Sequence, residues 1–383
     1  MRTPCPGAVL TLAFSLVAAC GGSPSEASSA AVSGVVRDGD AGTALEGVSV
    51  SVGNRSATSD AQGRYRLDDV PTSNQATLRA TRSGFDPYEA NIAVGAAGTA
   101  HDVELIPQTV FDVGTAAVYI PRGVAHVRGV LLGLAAFSMK GLASGEVGDV
   151  SNPRGRESIE KFRQVFLPLA SAHGLAILGT EPVNGGVAGD DVILDGLASA
   201  AAASGHPELA DAPLLIHGSS FGAHGTHGFA LRHPDRTIAI VLRIPVQVCC
   251  GLVPADVPGY VLLAALDTVV SNVAARELFD THRASGSPWS FAVETGAQHD
   301  VPTSIALDLL GQWTDRMLAQ RLPAGMVTPV QLVPLVAEAG WLGDIATGTI
   351  AAWPAYLGDL LQASWFPSQE TAERWRTFTG ETP

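Results

Sequence analysis

The stretch that most restricts this chain is Pro213-Leu214-Leu215-Ile216-His217-Gly218-Ser219-Ser220-Phe221-Gly222. A short apolar run ends in Gly-x-Ser-x-Gly, and a helix-compatible stretch follows at 223–232. Strand, sharp turn and helix in that order are the context of a nucleophile elbow, where a serine sits on a strained turn. Its neighbours must lack a Cβ, because the flanking chains otherwise collide. Such a turn lifts the Ser220 hydroxyl above the sheet edge. It also aims the backbone N–H of Phe221, at a helix N-terminus, toward any negative charge that develops nearby. The competing reading is a Gly- and Ser-rich loop that matches by chance; the strand before and the helix after weigh against it.

Residues 110–320 alternate strand-like and helix-like stretches, as an α/β sheet with covering helices requires. Strands are predicted at 113–120, 127–137 and 175–179, then, beyond the elbow strand, at 237–244, 260–266 and 289–294. Helices are predicted at 157–172, with Phe162, Val165, Phe166 and Leu169 on one face, and at 191–203, 273–284 and 304–320. This order resembles the α/β-hydrolase fold, in which an acid follows a late strand and a histidine follows the last one. Asp267 follows the apolar run Val261-Leu262-Leu263-Ala264-Ala265-Leu266, and His299 follows Phe291-Ala292-Val293-Glu294 in the loop Thr295-Gly296-Ala297-Gln298-His299. The chain order Ser220, Asp267, His299 is that of the family. The resemblance implies that His299, held by Asp267, takes the proton of Ser220 and later returns it to a leaving group.

Other acids and histidines fit less well. Asp256 precedes its strand, Asp280 lies within a predicted helix, and Asp300 adjoins His299 too closely in sequence to orient its ring. His282 falls inside or at the end of a helix, and His101 belongs to an earlier segment. The family often carries a His-Gly pair after the early strand 129–136; this chain has Ala135-Ala136-Phe137-Ser138-Met139-Lys140-Gly141. The backbone N–H of Phe137 is the expected second oxyanion donor, with the Ser138 side chain as the alternative. His217, His224, His227 and His233 crowd the elbow, and His224 and His227 share a helix face. No carboxylate with matching spacing joins them, so structural histidines are expected rather than a metal site. Gly185-Gly186-Val187-Ala188-Gly189 lacks both the Gly-Lys-Ser/Thr ending and the dinucleotide spacing of a phosphate cradle.

Residues 31–106 change to short β-type runs broken by Gly, Asp and Asn. Val48, Val50 and Val52 alternate with Ser49 and Ser51, and Tyr65 and Leu67 alternate with Arg64, Arg66 and Asp68, as half-buried strands do. Asp60 and Gly63 supply turn chemistry between them. The succession Ser33-Gly34-Val35-Val36, Leu45-Glu46-Gly47-Val48, Thr58-Ser59-Asp60-Ala61-Gln62-Gly63-Arg64-Tyr65, Leu67-Asp68-Asp69-Val70-Pro71 and Arg82-Ser83-Gly84-Phe85 resembles the carboxypeptidase regulatory-like domain. A small transthyretin-like β-sandwich is implied, serving as a spacer or as a binding unit for glycan or protein. The expected fold class is therefore an α/β-hydrolase preceded by a small all-β sandwich.

The start of the chain reads as a leader. After Met1-Arg2, an apolar run at 8–19 is too short to span a bilayer but suits the h-region of a signal peptide. Val17-Ala18-Ala19-Cys20 resembles the lipobox of bacterial lipoproteins, which implies a signal peptide at 1–19, a lipid on Cys20 and a tether at 20–30. An ordinary cleaved signal ending at Ala19 is the alternative. Gly21 in place of aspartate favours the outer membrane or cell surface. Export leaves Cys249-Cys250 in an oxidising compartment; buried free thiols are expected there rather than a strained vicinal disulfide. The tail, 321–383, holds four of the six tryptophans and is expected to pack them on the hydrolase.

Composition bounds the partners. The 383 residues are 46% hydrophobic and 16% charged, enough apolar sequence for two or three folded domains. The formal net charge is −14, and Lys140 and Lys161 are the only lysines, which argues against nucleic acid or an anionic lipid surface as partner. Together the resemblances imply an exported, lipid-anchored serine hydrolase that cleaves carboxylic esters through an acyl-enzyme without metal or cofactor. Its ester substrate would be environmental: an acylated polysaccharide, a feruloyl-type ester, a polyester or a lipid ester. Peptidase or amidase action on the same groups, and a non-catalytic surface-binding protein with a degenerate hydrolase domain, are the alternatives.

Overall fold

The computed structural model describes residues 28–82, 84–147, 152–183, 186–246, 251–299, 301–325 and 329–380. The leader with Cys20 and the pair Cys249-Cys250 lie outside the described residues. Two units emerge, an N-terminal one that reaches Val103 and a larger one that holds the rest of the chain to Pro383.

The N-terminal unit is built from two four-stranded sheets. In one, Arg64–Pro71 pairs antiparallel with Ser29–Asp38, which also carries Thr99–Ala100 and Val103–Leu105. The other runs in the order Arg55–Thr58, Ser49–Val52, Ser73–Thr81, Tyr88–Val94. The alternation read from sequence is the alternation of burial: Val50, Val52, Tyr65 and Leu67 point inward while Arg64 and Arg66 are exposed. Asp60 closes the turn between strands, its Oδ1 accepting from the N–H groups of Gln62 and Arg64. Gly63 follows at φ +74°, a left-handed conformation suited to a residue without a Cβ.

The larger unit is organised around an eight-stranded mixed sheet. Its strands are β1 (Val110–Asp112), β2 (Ala116–Tyr119), β3 (Val130–Leu134), β4 (Ala176–Thr180), β5 (Leu214–Ser219), β6 (Thr237–Arg243), β7 (Gly259–Ala264) and β8 (Trp289–Glu294). Their spatial order is β1-β2-β4-β3-β5-β6-β7-β8; β3 to β8 are parallel, and β2 is antiparallel to both β1 and β4. The longer helices are α1 (Pro153–His173), α2 (Val187–Ser204), α3 (Phe221–Arg232), α4 (Asn272–Ala284), α5 (Ser304–Arg321) and α6 (Gln369–Gly380). Successive strand residues face opposite sides, so each inner strand feeds two cores. Leu131, Leu215 and Val241 meet α1 and α5, while Leu132, Ile216 and Leu242 pack with α2, α3 and α4. An antiparallel edge, a parallel body and helices on both faces make this the α/β-hydrolase architecture that the element order implies.

Two predicted strands need correction. The strand expected at 113–120 is present but starts only at Ala116, because the residues before it turn the chain from the unpredicted strand Val110–Asp112: Gly114 has φ +85°, and its N–H bonds to Asp112 Oδ1 at 3.0 Å. The strand expected at 127–137 stops at Leu134, beyond which the backbone leaves the sheet. The tail belongs to the larger unit. Trp341–Gly343, Ile350–Ala352 and Ser364–Phe366 form a small antiparallel sheet, and Trp365 and Trp375 are fully buried. The Trp375 indole donates to the carbonyl of Phe291 at 2.7 Å, and the Ser364 hydroxyl accepts from the Phe291 N–H at 2.8 Å. The tail thus grips the strand that leads into the His299 loop.

A buried histidine beneath the elbow is expected to make the fold acid-sensitive. His227 is buried, edge-on to His282, which in turn stacks on Trp289 at 3.7 Å. Burial, helped by the neighbouring His282, pushes His227 down to about 4. The unfolded chain therefore takes up a proton there at a higher pH than the folded one does. The stabilisation is complete above about pH 6.5 and is lost as pH falls toward about 4, on the order of 3 kcal/mol for this group. Urea denaturation at pH 7 and pH 4.5 should show a smaller loss of stability in His227→Leu than in the wild type; an equal loss would assign the acid sensitivity elsewhere.

Candidate active site

The elbow is strained where the sequence pattern requires it. Ser220 adopts φ +55° and ψ −120°, a conformation that costs an ordinary residue about 1–3 kcal/mol. Neighbouring bonds hold it there: its N–H donates to the Arg243 carbonyl at 2.9 Å, and its carbonyl accepts from the Ala223 N–H at 3.1 Å. Both glycines are needed for close approach. A Cβ on Gly218 would collide with the Thr226 hydroxyl and the Gly222 carbonyl, and one on Gly222 would overlap the backbone of Leu134 and Ala135. Gly222→Ala is expected to cost about 1–3 kcal/mol in stability and to push residues 135–137 away from the elbow. Urea denaturation reads the first effect and the rate of serine labelling the second; an unchanged stability would show that the backbone contact yields easily.

Ser220, His299 and Asp267 form one hydrogen-bonded chain. Ser220 Oγ lies 2.8 Å from His299 Nε2, and His299 Nδ1 lies 2.7 Å from Asp267 Oδ2. The other carboxylate oxygen of Asp267 accepts from the N–H groups of Val269 at 2.7 Å and Val270 at 3.1 Å. The Asp267 side chain is shielded from solvent. That burial raises its pKa, but the hydrogen bonds from His299, Val269 and Val270 outweigh it and hold the carboxyl below its ordinary value. An ionised Asp267 accepts a hydrogen bond from Nδ1–H, which leaves Nε2 as the acceptor facing Ser220.

Backbone bonds lock the two loops to each other. Leu266 N–H donates to the Ala297 carbonyl at 2.8 Å, and Ala265 N–H donates to the Glu294 carbonyl at 2.9 Å. Sequence reading missed the residue at the centre of this clamp. Glu294 Oε1 accepts from the Thr303 N–H at 2.9 Å, beyond the His299 loop, while its Oε2 lies 3.6 Å from the Arg243 guanidinium. Arg243 and Glu294 are each buried at the end of an apolar strand, and Arg243 also receives the Ser220 N–H. A charge of each sign closing two such strands was the available signal. Ile244, next to Arg243, has φ +41°, an outlier for a β-branched residue, and it lines the cavity beside Ser220.

That cavity, of about 320 Å³, opens at Ser220 and His299. Ala135, Ala136 and Phe137 form part of its wall, with Met139, Leu142, Phe162 and Phe166. Phe221, as the first residue of α3, carries an N–H without an intrahelical partner. The stretch that replaces the His-Gly pair is tied down by the Met139 N–H, which donates to the Thr180 carbonyl at 2.7 Å. Ser138 bonds through its hydroxyl to Glu181 at 3.1 Å and does not line the cavity, so the alternative donor is directed elsewhere. The other elbow histidines have separate surroundings: His224 stacks on Phe221, His227 meets His282, and His233 lies 3.1 Å from Asp190.

Comparison with known proteins matches one segment of the chain to a family and finds solved structures similar to parts of it. Residues 31–105 match the carboxypeptidase regulatory-like domain. No curated protein matches the chain. Among solved structures, a fluorophosphonate-binding serine hydrolase of Staphylococcus aureus with bound substrate is similar at 13% identity and a TM-score of 0.36, over 55% of this chain and 95% of that one. The esterase PE8 is similar at 15% identity and a TM-score of 0.37, over 52% of this chain and 97% of that one. A cohesin–X-dockerin complex from Acetivibrio cellulolyticus is similar at 21% identity and a TM-score of 0.19; the match spans 21% of this chain and 59% of that one.

Proposed function

We propose that this chain is a serine hydrolase that cleaves carboxylic esters through an acyl-enzyme. The observation that carries the reading is the hydrogen-bonded chain from Ser220 through His299 to Asp267, set on a strained turn at the mouth of an apolar cavity. Ser220 Oγ attacks the ester carbonyl while His299 Nε2 accepts its proton. The carbonyl oxygen, now negative, is held by the N–H of Phe221 at the start of α3 and by that of Phe137. Collapse expels the alcohol, which takes the proton from His299. Water then repeats the sequence on the acyl-enzyme and releases the acid. Asp267 fixes the tautomer of His299 and stabilises the imidazolium without taking up its proton. The groups required are all side chains and amides of this chain.

Export and a lipid on Cys20 belong to the same proposal, motivated by the apolar leader and its Val17-Ala18-Ala19-Cys20 ending. They place the enzyme at the outer membrane or cell surface, facing esters of the environment. The test is labelling of the full chain by a fluorophosphonate probe, with p-nitrophenyl acetate and p-nitroacetanilide turned over in parallel. Labelling with ester turnover supports the reading, and dominant anilide turnover would make the chain an amidase. A folded protein that neither labels nor turns over would remove the catalytic assignment.

A further inference from the structure

His217 is a buried imidazole that the proposed chemistry does not use. It lies on β5, three residues before Ser220, and faces α1 and α5. Phe162 and Phe166 meet its ring edge-on, with centroids 6.0 and 5.0 Å away and both planes inclined at 79°. Its Nε2 lies 3.0 Å from the Thr314 hydroxyl. Its Nδ1 is buried and has no hydrogen-bond partner among the described residues. Buried polar atoms of native proteins are usually paired, so an orphan in a ring otherwise held firmly in place is a candidate to bond a group from outside the chain. The same ring lines the cavity that opens at Ser220 and His299.

We infer that His217 reads the far end of the substrate's acyl group, and that the preferred acyl group is a flat apolar body ending in a hydroxyl. The inference rests on the hydrolase reading above and deepens it. Three residues of extended chain separate the His217 and Ser220 positions by roughly 10 Å, a span comparable to a phenylpropanoyl group. The cavity between them is walled by Leu142, Met139, Phe162 and Phe166, which suit an aromatic or similarly flat chain. The identity of the terminal group follows from the tautomers. If Nε2 donates to Thr314, Nδ1 is an acceptor; if the Thr314 hydroxyl donates to Nε2, Nδ1 carries the proton and donates. A hydroxyl satisfies either arrangement. A carboxylate serves only the second and would meet a neutral ring at Nδ1, because burial pushes His217 down to about 3; Arg154, Asn152 and Ser158 stand elsewhere on the cavity lining. An acyl group with a methyl at its end leaves Nδ1 unpaired.

The experiment compares three methyl esters on the purified full chain: 3-(4-hydroxyphenyl)propanoate, its 4-methylphenyl analogue and unsubstituted 3-phenylpropanoate. The methyl analogue matches the hydroxyl in size and cannot hydrogen-bond. The wild type should favour the hydroxyl ester by about tenfold or more in kcat/KM over the methyl analogue, and His217→Phe should bring that ratio to about one. A wild-type ratio near one overturns the inference whether or not that variant folds, and if His217→Phe fails to fold, His217→Met takes its place as the variant that cannot pair with the hydroxyl. Comparable rates on all three esters, or a hydroxyl preference that survives His217→Phe, would overturn the inference and leave the hydrolase reading intact. So would turnover of p-nitrophenyl acetate with none of the three esters. Failure of a folded wild type to turn over p-nitrophenyl acetate, or to label with fluorophosphonate, is the separate result that removes the hydrolase reading and this inference with it.

Discussion

Ser220→Ala is expected to lower kcat for p-nitrophenyl acetate by about 10⁵–10⁶-fold, with His299→Ala close behind and the double variant no worse than either. The non-additivity follows from the geometry. Ser220 Oγ and His299 Nε2 are 2.8 Å apart, and each acts in the proposed step only through the other. A nucleophile without its base is a poorly ionised hydroxyl, and a base without the nucleophile has nothing to deprotonate. Stability should separate two alternatives at the same position. Alanine keeps a Cβ and therefore keeps the strain of φ +55°, whereas Ser220→Gly relieves it and should stabilise the fold by about 1 kcal/mol while still abolishing turnover. Steady-state kinetics with urea denaturation reads both effects. Turnover in Ser220→Ala within about tenfold of the wild type would exclude Ser220 as the nucleophile, since no other group could supply so small a deficit.

Much of this arrangement is legible in the sequence because it depends on local rules. The Gly-x-Ser-x-Gly turn is steric, and the clashes that a Cβ on Gly218 or Gly222 would meet are the reason for its glycines. The positions of Asp267 and His299 follow from element order, since in a parallel sheet loops after successive strands emerge on one edge. Less legible was whatever depends on pairs distant in sequence. Residues 113–120 are apolar enough to be strand throughout, and only the Asp112–Gly114 turn delays its start to Ala116. Arg243 and Glu294 are 51 positions apart, and nothing local says that they meet. Tryptophans in the tail are open to a surface-binding reading until the carbonyl of Phe291 is seen to accept the Trp375 indole N–H. By proximity in sequence alone, His217 falls into one group with His224, His227 and His233. The fold disperses that group, because successive residues of β5 and α3 point to different sides of the sheet.

The most informative conservative change is Asp267→Asn, expected to reduce kcat by about 10⁴-fold with little loss of stability. An asparagine retains the shape of the carboxylate, and its carbonyl oxygen can still accept from the Val269 and Val270 N–H groups, as Asp267 Oδ1 does at 2.7 and 3.1 Å. The remaining position, now an NH₂, faces His299 Nδ1, where Asp267 Oδ2 stood at 2.7 Å. A donor there requires Nδ1 to accept, so the neutral ring must carry its proton on Nε2. Nε2 then points an N–H at Ser220 and cannot take its proton. Asp267→Ala differs in kind: it strips both backbone donors of their partner, so activity and stability should fall together. The contrast separates orientation from scaffolding. If Asp267→Asn kept turnover within about tenfold of the wild type, another acid would have to hold His299. Glu294 is the nearest candidate by chain position, but its carboxylate is committed to the Thr303 N–H and to Arg243. A reduced kcat at unchanged urea midpoint is therefore the signature expected of Asp267 as the residue that sets the His299 tautomer.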